Sequence, residues 1–248
     1  SHCFKTSVIC IFKGEKNMKF LKLIFLCSVV NFSLSTYAEI AEVFEWKANP
    51  GKNAELVQAF IEASQIHESE GAKVAIERFD VGGVQGAYKY ILRWDSLEDW
   101  GSSKGKINTS PEWAEFSQKY PDGSLGQMTA SLAGVNLDTS VRASDFENPF
   151  VYSVNVWEAN PGKTQELVQN FLRAEQIIES TGARVEIYSE GIGGNGKFHY
   201  VLIYNDWEDM AKSYANLRDS NEWATFQAST VEGNAGKLVS SHSGQVIN

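Results

Sequence analysis

Ala48-Asn49-Pro50-Gly51-Lys52 and Ala159-Asn160-Pro161-Gly162-Lys163 are the same five residues met twice, 111 positions apart. From each of them as far as Gly82-Gly83 and Gly193-Gly194, the chain matches itself at 21 of 36 positions. The second glycine-rich turn is one residue shorter. Beyond it, at a spacing of 110, Tyr90, Leu92, Glu98-Asp99 and Glu112-Trp113-Ala114 return as Tyr200, Leu202, Glu208-Asp209 and Glu222-Trp223-Ala224. A period this long is a duplicated domain rather than a solenoid unit, because each copy has enough chain for a core of its own. The expected domains are 39–135 and 150–248, joined by a polar linker over 136–149 that shows no periodicity.

Both copies run through the same order of elements. Residues 41–47 and 152–158 are short runs of Val, Phe, Trp and Tyr stopped by Asn-Pro-Gly, the pattern of a strand ending in a turn. Leu56, Phe60, Ala63 and His67 then recur at helical spacing, and Leu167, Phe171, Ala174 and Ile178 repeat the stripe. Gly71 and Gly182 end these helices. Residues 73–79 and 87–94 form the next two strands, as do 184–190 and 197–204, each pair joined by a glycine-rich hairpin turn. Asp95 or Ser96, and Asn205 or Asp206, cap a further helical region, and a last strand is expected near 126–133 and 236–242. The order β-α-β-β-α-β predicts an α+β fold of two tandem ferredoxin-like domains.

The third strand shows what such a unit must do with its second face. Tyr88, Tyr90, Leu92 and Trp94 alternate with Lys89, Ile91 and Arg93, and Phe198, Tyr200, Leu202 and Tyr204 alternate with His199, Val201 and Ile203. One face is wholly aromatic or aliphatic in both copies. The other is mixed in the first and mostly apolar in the second, so both faces are expected to be covered. A single two-layer unit would leave one of them in water.

The composition narrows the function. Of 248 residues, 22 are basic and 31 acidic, and no dense basic run is present to release counterions from a nucleic-acid backbone, so nucleic-acid binding is excluded. Met18, Lys19 and Lys22 precede the apolar run 23–30 and the polar stretch that ends in Ser35-Thr36-Tyr37-Ala38, the form of a signal peptide cut after Ala38. That run is too short for a stable membrane span. Residues 1–17 read as sequence upstream of the start. Cys3, Cys10 and Cys27 all precede the cut, and the remainder holds 17 basic and 30 acidic residues, a charge near −13. A cysteine-free exported chain fits a periplasmic or secreted location.

The element order, the Asn-Pro-Gly-Lys turn before the first helix, and the Trp or Tyr that ends the third strand resemble the dimeric α+β barrel superfamily. That group includes antibiotic-biosynthesis-monooxygenase-like, NIPSNAP-like and stress-responsive barrel domains. The resemblance implies that the two copies pack sheet to sheet within one chain, as a monomer with an internal pseudo-dimer or as a homo-oligomer. It also implies a pocket for a small organic ligand between sheet and helices. The aromatic residues Trp46, Tyr90 and Trp94, with their counterparts Trp157, Tyr200 and Tyr204, are the candidate lining.

His67 lies on the buried stripe where the second copy has Ile178, so its imidazole needs a partner. With Tyr90 and Arg78 it forms the candidate catalytic set, able to orient and deprotonate a phenol. His199, in the place of Lys89, is expected to face a helix or solvent, and His242 to lie in poorly ordered chain near the end of the sequence. The histidines lack metal-ligand spacing, so no metal and no cofactor are expected. Some oxygenases of the superfamily use an Asn, a Trp and a His, and no matching triplet is present. Three functions remain open: a noncatalytic protein that binds a small apolar or aromatic molecule, a cofactor-independent monooxygenase-like enzyme, and a structural partner whose aromatic faces are spent in packing.

Overall fold

The computed structural model describes residues 38–248. The signal segment and all three cysteines fall outside these residues, apart from Ala38 itself. The first half comprises β1 (Ile40–Ala48), α1 (Asn53–Ser69), β2 (Lys73–Val81), β3 (Ala87–Trp94), α2 (Leu97–Ile107), α3 (Pro111–Lys119) and β4 (Gly126–Asn136). The second comprises β5 (Val151–Ala159), α4 (Thr164–Glu179), β6 (Arg184–Glu190), β7 (Phe198–Tyr204), α5 (Trp207–Arg218), α6 (Asn221–Gly233) and β8 (Gly236–Val246). No helix among the described residues is long and apolar enough to cross a membrane.

All eight strands form one closed antiparallel barrel in the order β1-β3-β2-β8-β5-β7-β6-β4. Within each half the strand order is the same, β4-β1-β3-β2 and β8-β5-β7-β6. The half-sheets are hydrogen-bonded to one another along two seams, β2 to β8 over Glu77–Val81 and β4 to β6 over Gly134–Asn136. Helices cover the outside, and the inner faces of all the strands share one lumen.

The repeated motif explains why each half closes on itself. Asn49 donates from its side chain to the Gly123 carbonyl at 2.9 Å, and its backbone N–H donates to Leu125. Asn160 does the same to Asn234 and Ala235. The Asn of each Asn-Pro-Gly turn therefore fastens the first strand to the start of the last. Ser96 and Asp206 cap α2 and α5, and Ser110 and Ser220 cap α3 and α6, each accepting from the N–H three residues on.

Closure at the seams depends on two residues at equivalent places in the halves, Gly134 and Gly244. A Cβ on Gly244 would collide with the Arg78 carbonyl and sit 2.7 Å from the Tyr152 hydroxyl, and one on Gly134 would sit 3.2 Å from the Ser189 carbonyl. Only glycine lets the backbones of β8 and β2 approach this closely.

The lumen is the part least like its expectation. Its inward side chains include Glu77, Lys89 and Arg93 from the first half, and Tyr152, Glu186, Tyr188 and His242 from the second, all buried. Arg93 donates to Glu39 at 2.9 Å and to the Tyr188 hydroxyl at 2.7 Å. His199 faces this lumen rather than a helix or solvent, and its Nε2 meets Glu190 at 2.9 Å. His242 lies in β8, not in loose chain, and its Nε2 accepts from the Lys89 ammonium at 2.7 Å. The segment between the halves also differs from a plain polar linker. Val141, Ala143 and Phe146 in it are buried, and the Arg93 guanidinium lies 3.8 Å from the centre of the Phe146 ring.

Two outcomes follow. Gly244→Val should open the β2–β8 seam and lower stability by about 3 kcal/mol, read as a drop in the urea midpoint. Burial, reinforced by the charges of Lys89 and His199, holds the His242 pKa down at about 3 against an ordinary 6.5. In that window the unfolded chain binds a proton that the folded chain refuses. Stability should therefore fall as the pH is lowered from about 6.5 towards 3, and His242→Gln should flatten that slope in pH-dependent unfolding curves.

Candidate functional site

A cavity of about 350 Å³ lies in the first half between the outer face of the sheet and helices α1, α2 and α3. β1 supplies Phe44 and Trp46, β3 supplies Tyr90, Leu92 and Trp94, and α1 supplies Phe60, Ala63 and His67. Trp113 and Phe116, stacked at 5.0 Å, close it from α3. The lining is mainly apolar with a few polar groups, the usual make-up of a small-molecule site.

His67 and Tyr90 meet here. Nδ1 of His67 lies 3.0 Å from the Tyr90 hydroxyl and 2.9 Å from the Ala63 carbonyl. The imidazole is 8% exposed, and no side chain or backbone group among the described residues bonds its Nε2. Its edge packs on Trp113 at 4.9 Å. Burial lowers the His67 pKa, and the Lys104 charge acts in the same sense, opposed by the Ala63 carbonyl and Glu42. Burial likewise pushes the Tyr90 phenol far above its ordinary value. At neutral pH the pair is an uncharged imidazole beside an uncharged phenol.

Arg78 does not join them. It is exposed on β2, where its Nε donates to Asp80 at 2.8 Å, and it is not part of the cavity wall. Two residues beyond Ile76 on the same strand face, it has passed the part of the sheet that helices cover. Trp46 and Trp94 do line the cavity. Trp157, Tyr200 and Tyr204 belong instead to the packed core of the second half, together with Phe171, Ile178 and Met210. There the Tyr200 hydroxyl finds only the Phe171 carbonyl, at 3.5 Å.

The repeat alone did not single out an ion pair through which the lining residue Lys104 is held. Lys104 donates to Glu42 Oε1 at 2.7 Å, and Trp100 donates to Glu42 Oε2 at 3.0 Å. In the second half Ser153, Tyr214 and Met210 hold these three places, and the Tyr214 hydroxyl donates to Ser153 at 3.2 Å. A charged pair in one copy thus faces a neutral pair in the other, a paired exchange visible in the aligned repeat. A second signal is Pro121. Lacking an N–H and restricting the residue before it, it ends α3 at Lys119, whereas Val231-Glu232-Gly233 carry α6 a turn further. The released residues 120–125 form one wall of the cavity. Tyr120 and Lys119 are held to α1 through Glu62, at 3.0 and 2.7 Å. Trp94 Nε1 and Ser103 Oγ, both on the wall, are buried without a partner.

No family model matches the chain, and no curated protein matches it by sequence. Solved structures do match its fold. A candidate monooxygenase from Fusobacterium nucleatum subsp. nucleatum superposes with a TM-score of 0.53 at 12% identity, over 84% of this chain and 91% of that one. The two share the fold, an α+β barrel of antiparallel strands with helices outside. Two further barrels of this kind each superpose at a TM-score of 0.50 over 85% of this chain and 92% of theirs: an anthrone oxidase-like protein at 13% identity and a heme-binding protein from Thermus thermophilus at 9%. Identities this low speak for the barrel alone, so the chemistry must come from the site itself.

Removing Lys104 tests whether the wall charges are coupled. Lys104→Met leaves the Glu42 carboxylate with Trp100 alone and should cost about 1 kcal/mol or more. The double change Glu42→Ser with Lys104→Tyr, copying the second half, should recover most of that loss in chemical denaturation.

Proposed function

We propose that this protein binds a small, largely aromatic molecule in the cavity of its first half. The carrying observation is the contrast between equivalent places. The second half packs its helix-covered sheet face into a core around Phe171, Tyr200 and Tyr204, while the first keeps about 350 Å³ open beside the equivalent Phe60, Tyr90 and Trp94. A void of this size forfeits packing, and a ligand restores it. The barrel is read as two ferredoxin-like units, over 39–135 and 150–248, fused by the 136–149 segment, with the first retained for binding. Export to the periplasm or medium rests on the Met18–Ala38 segment alone.

The names of the neighbouring barrels raise heme as a ligand. The lining does not suit it. His67 is its only imidazole, and Lys104 its only Lys or Arg, already held by Glu42. No unpaired cation is left among the lining residues to take two propionates. A neutral or singly charged aromatic molecule suits the wall better. An oxygenase acting on such a molecule is the second reading, favoured by the His67–Tyr90 contact.

Native mass spectrometry of the purified protein, followed by release of bound material, should show an organic adduct. Ala63→Phe, which places a ring in the cavity next to His67, should abolish the adduct and leave the fold intact by circular dichroism. An adduct retained unchanged in that variant would place the ligand elsewhere.

A further inference from the structure

We infer that Asn195 and Gly196 form a self-modification site: the Asn195 amide converts to aspartate or isoaspartate without an enzyme, and the carboxylate it becomes loosens the β4–β6 seam.

Asn195-Gly196 is the only Asn-Gly pair in the chain, and it falls in the hairpin turn between β6 and β7. Both residues are exposed. Glycine favours ring closure because it puts no side chain in the path of its own nitrogen, and Gly196 stands at φ +84°, a conformation open to few other residues. Among the described residues no group accepts from the Gly196 N–H, so no bond has to break to free it. Its target is held in place. With the Asn195 amide turned so that both ends are satisfied, the nitrogen donates to Glu190 Oε2 at 2.9 Å and the oxygen accepts from the Lys197 ammonium at 3.2 Å. That ammonium lies where negative charge develops on the attacked carbonyl.

The step needs only water. The Gly196 nitrogen gives up its proton to solvent and bonds to Cγ of Asn195, whose C=O electrons move to oxygen and return as the Cγ–NH2 bond breaks and ammonia leaves with a proton. The product is a cyclic succinimide. Water then adds to one of its two carbonyls and breaks the ring C–N bond on that side, giving aspartate when Cγ is attacked and isoaspartate when the backbone carbonyl is.

The turn that carries the pair also fastens the seam. The Ile192 carbonyl accepts from the Ala133 N–H at 2.8 Å, Gly191 donates to the Ala133 carbonyl at 2.9 Å, and Glu190 pairs with Gly134. Glu190, its side chain 5% exposed, is the hub of the turn. Its Oε2 accepts from the N–H groups of Asn195 and Lys197 at 2.8 and 3.1 Å, and its Oε1 meets His199 at 2.9 Å. A carboxylate in place of the Asn195 amide faces Glu190 with no proton between them, and like charges that close repel. Isoaspartate disturbs the turn further, since it routes the backbone through the side chain and lengthens it by a methylene. The β2–β8 seam is exempt. Gln85-Gly86 hold the equivalent places in the first half, and glutamine has to close a larger ring.

The test warms the purified full chain at neutral pH and follows it by peptide mass spectrometry, with the same chain unfolded in urea as reference. The expected result is conversion of Asn195 in the folded chain no slower than in the unfolded one, with isoaspartate among the products. Asn195→Gln and Gly196→Ala should leave the mass of that peptide unchanged. In the converted protein, and in freshly prepared Asn195→Asp, hydrogen exchange at the Ala133 and Gly191 amides should quicken while exchange along the β2–β8 seam keeps its starting rate. A folded chain that keeps its amide while the unfolded one converts, or conversion that leaves exchange at Ala133 and Gly191 unchanged, overturns the inference.

Discussion

Closing the barrel requires two backbones to meet where one of them has no room for a side chain. The β2–β8 and β4–β6 seams are short, and each has a glycine at the tightest place, Gly244 and Gly134. Everything else inherits from that closure. Strand β3 is buried along its whole length because one face meets the helices and the other the lumen, and the outer face can then hold a cavity without leaving the inner face in water. Were the seams open, Lys89 and Arg93 would return to solvent and the barrel would lose the reason for its inward polarity.

The two halves have divided the labour of their shared plan. In the second, the space between sheet and helices is packed by aliphatic and aromatic residues together, and α6 runs a turn longer. In the first, Pro121 shortens α3 and His67 stands where the second has Ile178, while the Trp113–Phe116 stack is common to both as Trp223–Phe226. The stability of a barrel held by many strand contacts tolerates one hollow half, since hydrogen bonding along the sheet continues through both. A binding site thus sits beside a packed half that serves as its rigid support.

Much of this was legible in the sequence, because duplication doubles each signal. The strand and helix order, the caps at Ser96 and Asp206, the stripe ending in His67 and the aromatic face of β3 all follow from period and turn chemistry. That His67 is buried and needs a partner was legible, but which side chain supplies it was not, since helix and strand periodicity give faces and not the distance between them. Arg78 misled because alternation gives the face of a residue but not how far along the strand the helices reach. Trp157, Tyr200 and Tyr204 were paired with Trp46, Tyr90 and Trp94 by homology, which carries over position but not emptiness. The lumen was the least readable part. Lys89 and His242 find each other only across the halves, 153 residues apart, and Arg93 reaches Tyr188 the same way, 95 residues on, separations at which no local pattern operates.

That lumen has a bearing on symmetry. Lys89 rests on a histidine from the other half, and Arg93 on a tyrosine from the other half, whereas the equivalents of those two partners in the first half are Leu132 and Glu77. A ring assembled from two first halves would set ammonium against leucine, and one from two second halves would contain neither cation. The interior is a lock cut for unlike parts, so the covalent join between the halves also preserves a pairing that identical subunits could not reproduce.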